Sequence, residues 1–575
     1  MTPPEQHPGA VGRVPGATDL ERLVARSRLI GADPTLVVHG GGNTSTKTRE
    51  SDHLGRERDV LRIKGSGTDL RTIGPDGFPG LSLDDLLPLR ERAAMSDEEM
   101  VDHLAHCMVE PGSRRPSIET LLHAFLPAKH VDHTHADAIC ALTNTPDPEA
   151  RVREALGPEV AVVPYLRPGF ALSKQVADLA GARGVVLARH GLVTWGETPE
   201  ASYGRTLELV GEAEAYLRVR EQRTPASAAS RPDLDAGTVE ALLLTLRGLL
   251  SRERRVVLRV DRGQRGLADR PDAAQVATAG RATPDHVLRI GPRSLLLADP
   301  TDAEAAVNAF ADASRAYFAR HRATLPPDAP MLSPLPRVLL VPGLGAVAAG
   351  ADANAARVNA EIAHRSHLVT SRTLDAFGAV EWLTEEEVFA FDYWPLELAK
   401  LMSAPPPRAF SGRVAVVTGA GSPLGRAVAA RLAADGAHLV LAGGDSAERD
   451  AAVAAAPAGA AVATDGDPLS TAVETFGGID LLVAVEPPHP SLLRRLDAAA
   501  ARQGLPVAVV GVGVGPDEAD PGPPPVAASG GLRVNRVQVG DGASPALVAE
   551  AVAFLASDRA AGTQGVTLPV GGPGS

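Results

Sequence analysis

Two histidines stand two positions apart in VDHTHADAI, His133 and His135, and a third, His190, precedes a glycine in VVLARHGLVTWG. Residues i and i+2 of a strand point to one face, so the pair predicts two imidazoles side by side. A third imidazole, at the end of a neighbouring strand running from Gly184 to Arg189, completes a three-nitrogen site that leaves a coordination position open. Such a set favours Zn2+ or a similar borderline cation over Mg2+ or Ca2+, which prefer oxygen ligands. The companion carboxylate is Glu119 in RPSIETLLHAFLP, predicted on a helix that starts after Pro116 and is capped by Ser117. Ile118, Leu121, Leu122 and Phe125 face the core in that helix. A carboxylate beside a cation-polarised carbonyl can remove the α-proton. Plainer roles exist for each residue: a lone HxH pair is commonly ordinary surface or core histidine, and an acid in a first turn complements the helix dipole.

Two glycine-rich turns add an anion site. HGGGNTS (His39 to Ser45) is expected to follow a strand TLVV, and KGSGTDL (Lys64 to Leu70) a strand VLRI. Glycines let the backbone approach a phosphate, and Asn43, Thr44, Ser45, Gly65, Ser66, Gly67 and Thr68 are the candidate phosphate-binding residues. One such loop is usually only a turn, but two of them beside a three-histidine set point to a phosphorylated substrate.

The elements that position these residues lie in the first of three regions. A chain of 575 residues exceeds a single core. The first region runs to about Arg220 and ends in the amphipathic helix EASYGRTLELVGEAEAYLRVR. The expected division is a disordered tail over 1–17, a zinc domain over 18–222, a linker over 223–236, a middle α/β region over 237–404, a linker over 405–410 and a final domain over 411–575. The final domain begins strand, turn, helix, strand in RVAVVTGAGSPLGRAVAARLAADGAHLVLAG, the pattern of a doubly wound parallel sheet. The formal net charge is −13 with no long basic run, which argues against nucleic-acid binding. Cys107 and Cys140 form neither a disulfide framework nor a CxxC pair, which fits a reducing compartment. No apolar run approaches the roughly 20 residues of a membrane span, and the start lacks the order of a signal peptide. A soluble cytoplasmic protein without membrane or nucleic-acid partners is the expectation.

The motifs GGGNTS, GSGT, SIET, HTHAD and ARHGLVTWG, in this order over about residues 18–220, resemble the class II aldolase family. That family includes fuculose- and rhamnulose-phosphate aldolases, ribulose-phosphate 4-epimerases and adducin. The resemblance implies an α/β/α fold with a mainly antiparallel sheet, a homo-oligomer with sites between subunits, and Zn2+ on His133, His135 and His190. It also implies Glu119 as the catalytic base. Adducin-type members lack the metal histidines, whereas this chain keeps them.

A longer resemblance, to bifunctional rhamnulose-1-phosphate aldolase/short-chain dehydrogenase proteins, rests on ATPDHVLR (Ala282 to Arg289), VLLVPGLG (Val338 to Gly345) and FDYWPLELAKL (Phe391 to Leu401). It implies cleavage of rhamnulose 1-phosphate or a similar ketose 1-phosphate to dihydroxyacetone phosphate and an aldehyde. His286 in TPDH reads as a structural histidine opening a strand.

The final domain resembles a short-chain dehydrogenase in outline, with Gly419, Gly421 and Gly425 as the residual cofactor turn. Pro423 replaces the middle glycine of that turn; proline removes an N–H where pyrophosphate would approach, although it suits a first helical turn. Gly443 and Gly444 stand where the ribose-binding acid belongs, with Asp445 displaced, and Val485-Glu486-Pro487-Pro488 replaces NNAG. No tyrosine or lysine follows Pro405, so the family's catalytic pair is missing, and PDEADPGPPPVAASGG occupies the place of its helix. Weak or absent NAD(P) binding is expected. The alternatives left open are a sugar-phosphate epimerase or dehydratase on the same site, a bifunctional enzyme with residual redox activity, and a non-catalytic sugar-phosphate-binding protein.

Overall fold

The computed structural model describes residues 12–222 except His53, then 231–396, Leu398, 405–486, 490–514 and 531–571. Most of the expected tail, the linker residues 223–230, Lys400, Pro487, Pro488 and residues 516–530 lie outside the described residues. The chain forms two compact units. One comprises Met1–Ser227, Gln275–Arg293 and Glu361–Ser403; the other comprises Ala228–Ala274, Ser294–Ala360 and Ala404–Ser575.

The first unit is built on seven strands: β1 (Asn43–Ser51), β2 (Glu57–Ile63), β3 (Gly80–Ser82), β4 (His130–Thr134), β5 (Val160–Val163), β6 (Gly184–Leu187) and β7 (Gly191–Gly196). Their order is β3-β2-β1-β4-β7-β6-β5, antiparallel throughout except for the β5–β6 pair. Central β4 is buried along its length. Its alternation sends Asp132 to one face, where Asp132 Oδ1 pairs with buried Arg26 at 2.9 Å and Oδ2 accepts from Ser202 Oγ at 2.7 Å. Arg26 also donates to Ser45 O at 2.7 Å. His133 takes the opposite face. The helix Pro199–Glu221 forms as its spacing predicts, opened by Thr198, whose hydroxyl accepts from Ala201 N.

The apolar run TLVV does not form the expected strand. Asp33 accepts from the backbone N–H and the hydroxyl of Thr35, and its carbonyl accepts from Leu36 N, so the segment closes into a turn with Leu36 and Val37 in the core. The strand instead begins at Asn43.

The second unit holds two sheets. A small one, β8 (Val257–Asp261), β9 (Leu295–Leu296), β10 (Val338–Val341) and β11 (Gly345–Gly350), runs in the order β8-β11-β10-β9. The large one contains β12 (Val414–Thr418), β13 (His438–Ala442), β14 (Ala461–Thr464), β15 (Leu481–Ala484), β16 (Val507–Val514), β17 (Leu532–Val539) and β18 (Thr567–Val570). It is parallel throughout in the order β14-β13-β12-β15-β16-β17-β18, a doubly wound Rossmann-like sheet. Val414, Val416 and Val440 on one of its faces share a core with Leu243 and Leu246 of the helix Ala236–Leu250 and with Val257, Leu339 and Val347 of the small sheet. Ala415, Val417 and Leu439 on the other face pack with Val428 and Val552.

The middle stretch is therefore not one body. Its helix and small sheet complete the core of the C-terminal sheet, while Gln275–Arg293 and Glu361–Ser403 fold with the histidine-bearing unit. ATPDHVLR is also not a strand: Thr283 is extended, Pro284 starts a helix with its preset φ, and the helix runs Pro284–Ile290. Among the described residues no helix is long and apolar enough to cross a membrane.

Candidate metal centre and active site

His133 lies mid-strand on β4, opposite Asn43 of β1 and Val193 of β7. His135 follows one residue beyond the strand's end. His190 is the last residue of the tight β6–β7 hairpin turn, closed by its own N–H on Leu187 O at 3.0 Å and by Arg189 at φ +59°. Gly191 follows because the chain passes close by: a Cβ there would overlap Thr134 O and stand 3.0 Å from His133 Cε1 and 3.1 Å from His135 Cδ2.

The three imidazoles converge. Their ring centroids are 4.8, 4.9 and 5.0 Å apart, and one nitrogen of each lies within 4.8 Å of the others. His133 Nε2 and His135 Nε2 are 3.0 Å apart. Glu119 sits at the N-cap of the helix Thr120–Phe125, one residue ahead of the turn expected for it, and makes no capping bond with its side chain. Its carboxylate turns to the histidines instead, Oε2 at 3.6 Å from His133 Nε2 and Oε1 at 3.7 Å from His190 Nε2. Oε1 is buried without a hydrogen-bond partner, and Oε2 accepts from Asn43 Nδ2 at 2.6 Å.

Two of the three rings are held neutral, while the third, His135, is raised because the Asp285 carboxylate outweighs its burial. Burial pushes the His190 imidazolium down to about 3, and burial likewise lowers His133, so both are neutral lone-pair donors at neutral pH. Burial works against ionisation of Glu119, but the imidazolium forms that His133 and His190 take in acid, together with the Asn43 amide, outweigh it and hold the carboxyl at about 2. Three nitrogen donors around a buried, unpaired carboxylate oxygen fit a divalent cation.

The anion-binding candidates divide. Asn43 is committed to Glu119, to Ser117 Oγ at 3.2 Å and to the ring of His123. Thr44 and Ser45 lie inside β1 with buried hydroxyls, bonded to Ser27 Oγ at 2.6 Å and His123 Nδ1 at 2.8 Å. Asn43 to Ser45 thus lie in a strand around Glu119 and His123 and not in a glycine loop, because β1 begins three residues earlier than a loop through Ser45 requires. The turn Gly65 to Thr68 stays at the surface around Gly67, with Thr68 Oγ1 closing on Gly65 O at 2.7 Å.

Two residues beyond the predicted set join the site. Lys64, buried at the end of β2, donates from Nζ to Gly40 O at 2.7 Å. Burial lowers it to about 8 against the opposing pull of Asp285, Glu119 and Asp69. A lysine directly before a glycine turn was a readable signal. Asp285 reaches His135 Nδ1 at 2.9 Å, a contact across 150 residues that no local pattern announces.

In the C-terminal domain, Ser422 caps the helix Pro423–Ala434 by accepting from Gly425 N at 3.0 Å, with Pro423 in the first turn. Gly419, at φ +64°, ends β12, and Gly421 O accepts from Arg426 at 3.0 Å. Asp445 caps the helix Ser446–Ala455, accepting from Glu448 N at 3.0 Å. Glu486 lies against the glycine turn: a Cβ on Gly419 would stand 2.9 Å from its Cγ, and one on Gly443 2.8 Å from its Oε2.

Residues 21–217 match the family model of the Class II Aldolase and Adducin N-terminal domain, and residues 237–401 that of Aldolase class II, second domain. A Bacillus subtilis (strain 168) protein named "Uncharacterized oxidoreductase YuxG" is 38% identical over 444 residues, 74% of this chain. The match takes in 64% of that relative's length, less than two thirds. Among solved structures, the N-terminal class II aldolase domain of a conserved Thermoplasma acidophilum protein is 47% identical, covering 36% of this chain and 98% of that one at TM-score 0.35. A Brucella melitensis short-chain dehydrogenase/reductase is 22% identical, covering 29% of this chain and 98% of that one at TM-score 0.23. With its histidine centre inside the first match and a seven-stranded parallel sheet after the second, the chain belongs to the class II aldolase family over residues 21–217 and 237–401 and carries a C-terminal domain of Rossmann-like fold.

Proposed function

We infer that the protein is a zinc-dependent aldolase that cleaves a ketose 1-phosphate, rhamnulose 1-phosphate or a close analogue, to dihydroxyacetone phosphate and an aldehyde. The observation that carries this is the Glu119 carboxylate set 3.6 and 3.7 Å from two imidazole nitrogens of a converging triad. His133, His135 and His190 would hold the cation. When bound, it supplies Lewis acidity at the carbonyl and neighbouring hydroxyl oxygens of the substrate.

Glu119 is the base of the reaction. It is ionised at neutral pH, it has one oxygen free of hydrogen bonds, and Asn43 fixes the other. In the condensation direction it takes the proton from the carbon next to the dihydroxyacetone phosphate carbonyl; in cleavage it returns one to that carbon. Lys64 and the Gly65–Thr68 turn supply positive charge and backbone for the substrate phosphate. Retro-aldol cleavage of rhamnulose 1-phosphate by wild type and Glu119→Gln tests the assignment. Glutamine keeps the Asn43 contact, so kcat is expected to fall by about 10²–10⁴-fold with the fold intact. Full activity in the variant removes Glu119 from the mechanism, and an epimerised sugar phosphate as sole product reassigns the reaction.

The C-terminal domain is inferred to be inactive as a dehydrogenase and to act as a structural partner of the helix and small sheet that share its core. The absence of tyrosine and lysine after Pro405 supports this. So does the Glu486 carboxylate beside Gly419 and Gly443, where it would repel a pyrophosphate. Calorimetry of the full chain with NAD(H) is expected to give no heat of binding at micromolar concentrations; a micromolar affinity would overturn it.

A further inference from the structure

We propose that Asp285 is a positioning residue of the metal centre, holding the Nδ1–H of His135 so that Nε2 presents its lone pair to the cation. The proposal rests on the metal-site reading above and extends it to the second family segment, since Asp285 lies within residues 237–401 and outside 21–217.

Each metal-binding imidazole must carry its proton on the nitrogen that faces away from the cation, and a fixed acceptor there selects that tautomer. His133 has such an acceptor in Leu192 O, 3.1 Å from Nδ1. His135 lies beyond β4, where no strand partner supplies a carbonyl, and Asp285 Oδ1 stands 2.9 Å from its Nδ1. Thr283 Oγ1 donates to the same carboxylate oxygen at 2.9 Å, which aims it.

Surrounding residues are shaped to this contact. Gly41 faces the pair: a Cβ there would stand 2.8 Å from Asp285 Oδ2 and 3.1 Å from His135 Nδ1. The second glycine of HGGG thus keeps clear the space in which the carboxylate meets the ring. The helix bearing Asp285 is anchored by His286 Nδ1 against Ser366 Oγ at 2.8 Å, by Asn144 Nδ2 on Ala282 O at 3.2 Å, and by Val287 packed with Val388, Phe391 and Trp394. His286, read from sequence as structural, thereby holds the helix that orients a ligand.

The test is metal binding by the full-length chain, stripped with chelator and titrated with Co2+ by its visible absorption and with Zn2+ against a chromophoric chelator. Asp285→Ala is expected to weaken both about 10- to 100-fold. Asp285→Asn, which keeps an acceptor oxygen, should recover part of the loss. Gly41→Ala should reproduce the alanine phenotype with Asp285 still present, so the prediction survives a poorly folding Asp285→Ala. His190→Ala serves as the null for the centre itself. Variants at Asp285 and Gly41 that bind as tightly as wild type while His190→Ala does not would overturn the positioning role and leave the centre standing. A wild-type chain that binds neither ion removes the centre, and the proposal with it.

Discussion

Two buried charges of opposite sign divide the work of the site. Glu119 is held at about 2 despite its burial, so it is ionised at neutral pH and a weak base. Lys64 has the reverse setting: burial brings it to about 8, which still leaves it mostly charged at neutral pH, and among the described residues its Nζ donates to Gly40 O. An ammonium has three donors, and two remain for an anion. Lys64→Met is therefore expected to raise KM for a ketose 1-phosphate about 10- to 100-fold, the loss of a charge-assisted contact of about 1.5–3 kcal/mol. Turnover of the same ketose without its phosphate should change little. Equal loss on both substrates would show that Lys64 supports the fold instead of the phosphate.

At the scale of elements, the β6–β7 hairpin is the part with least slack. It turns at Arg189 in a left-handed conformation, delivers His190, and at once passes under His133 and His135 at Gly191. Gly191→Ala forces a Cβ into the Thr134 carbonyl, so stability is expected to drop by about 1–3 kcal/mol and metal affinity to fall with it, since the same displacement spreads the rings. Denaturant unfolding with and without Zn2+ reads both effects; an unchanged metal affinity would mean that the hairpin gives way without moving His190. The histidine cluster, the helix start that carries Glu119 and the parallel sheet were legible in the sequence because each depends on local spacing or on a strand–helix rhythm. The TLVV turn was not, since one side chain, Asp33, captures the backbone of Thr35 against the apolar pattern. Thr44 and Ser45 look like loop residues only until β1 is paired on both sides, which buries their hydroxyls. Asp285 was invisible because its meaning is a contact with a residue 150 positions away.

For the whole molecule, part of the middle stretch is built into the core of the C-terminal sheet. Arg247 of the helix Ala236–Leu250 is fully buried, bonded to Asp480 before β15, to Val256 O at 3.0 Å and to Gly412 O at 3.1 Å. Removing Asp480 would leave Arg247 buried without its carboxylate, a loss of about 3–5 kcal/mol, whereas Asp480 keeps Arg255 at 3.2 Å when Arg247 is removed. The first unit carries a different liability, a set of buried neutral imidazoles apart from the three-histidine cluster. Burial lowers His123 and His130 to about 3 and His286 to about 4. Their unfolded value is about 6.5, so the folded state binds protons less readily than the unfolded one. The stability they permit is complete above pH of about 6.5 and is lost as pH falls toward their folded values. At pH 5 each contributes about 2 kcal/mol of destabilisation, and three together approach the net stability of an ordinary domain, about 5–15 kcal/mol. Chemical denaturation of the metal-free chain at pH 7.5 and pH 5.0 should therefore show a fall in the unfolding midpoint, to which His123, His130 and His286 contribute an uptake of about three protons near pH 5. His286→Gln should lessen the acid loss by about 2 kcal/mol, because glutamine can still bond Ser366 and has no charge to acquire. A midpoint that does not move between the two pH values would mean that these rings are already protonated in the folded chain, and that burial has not kept them neutral.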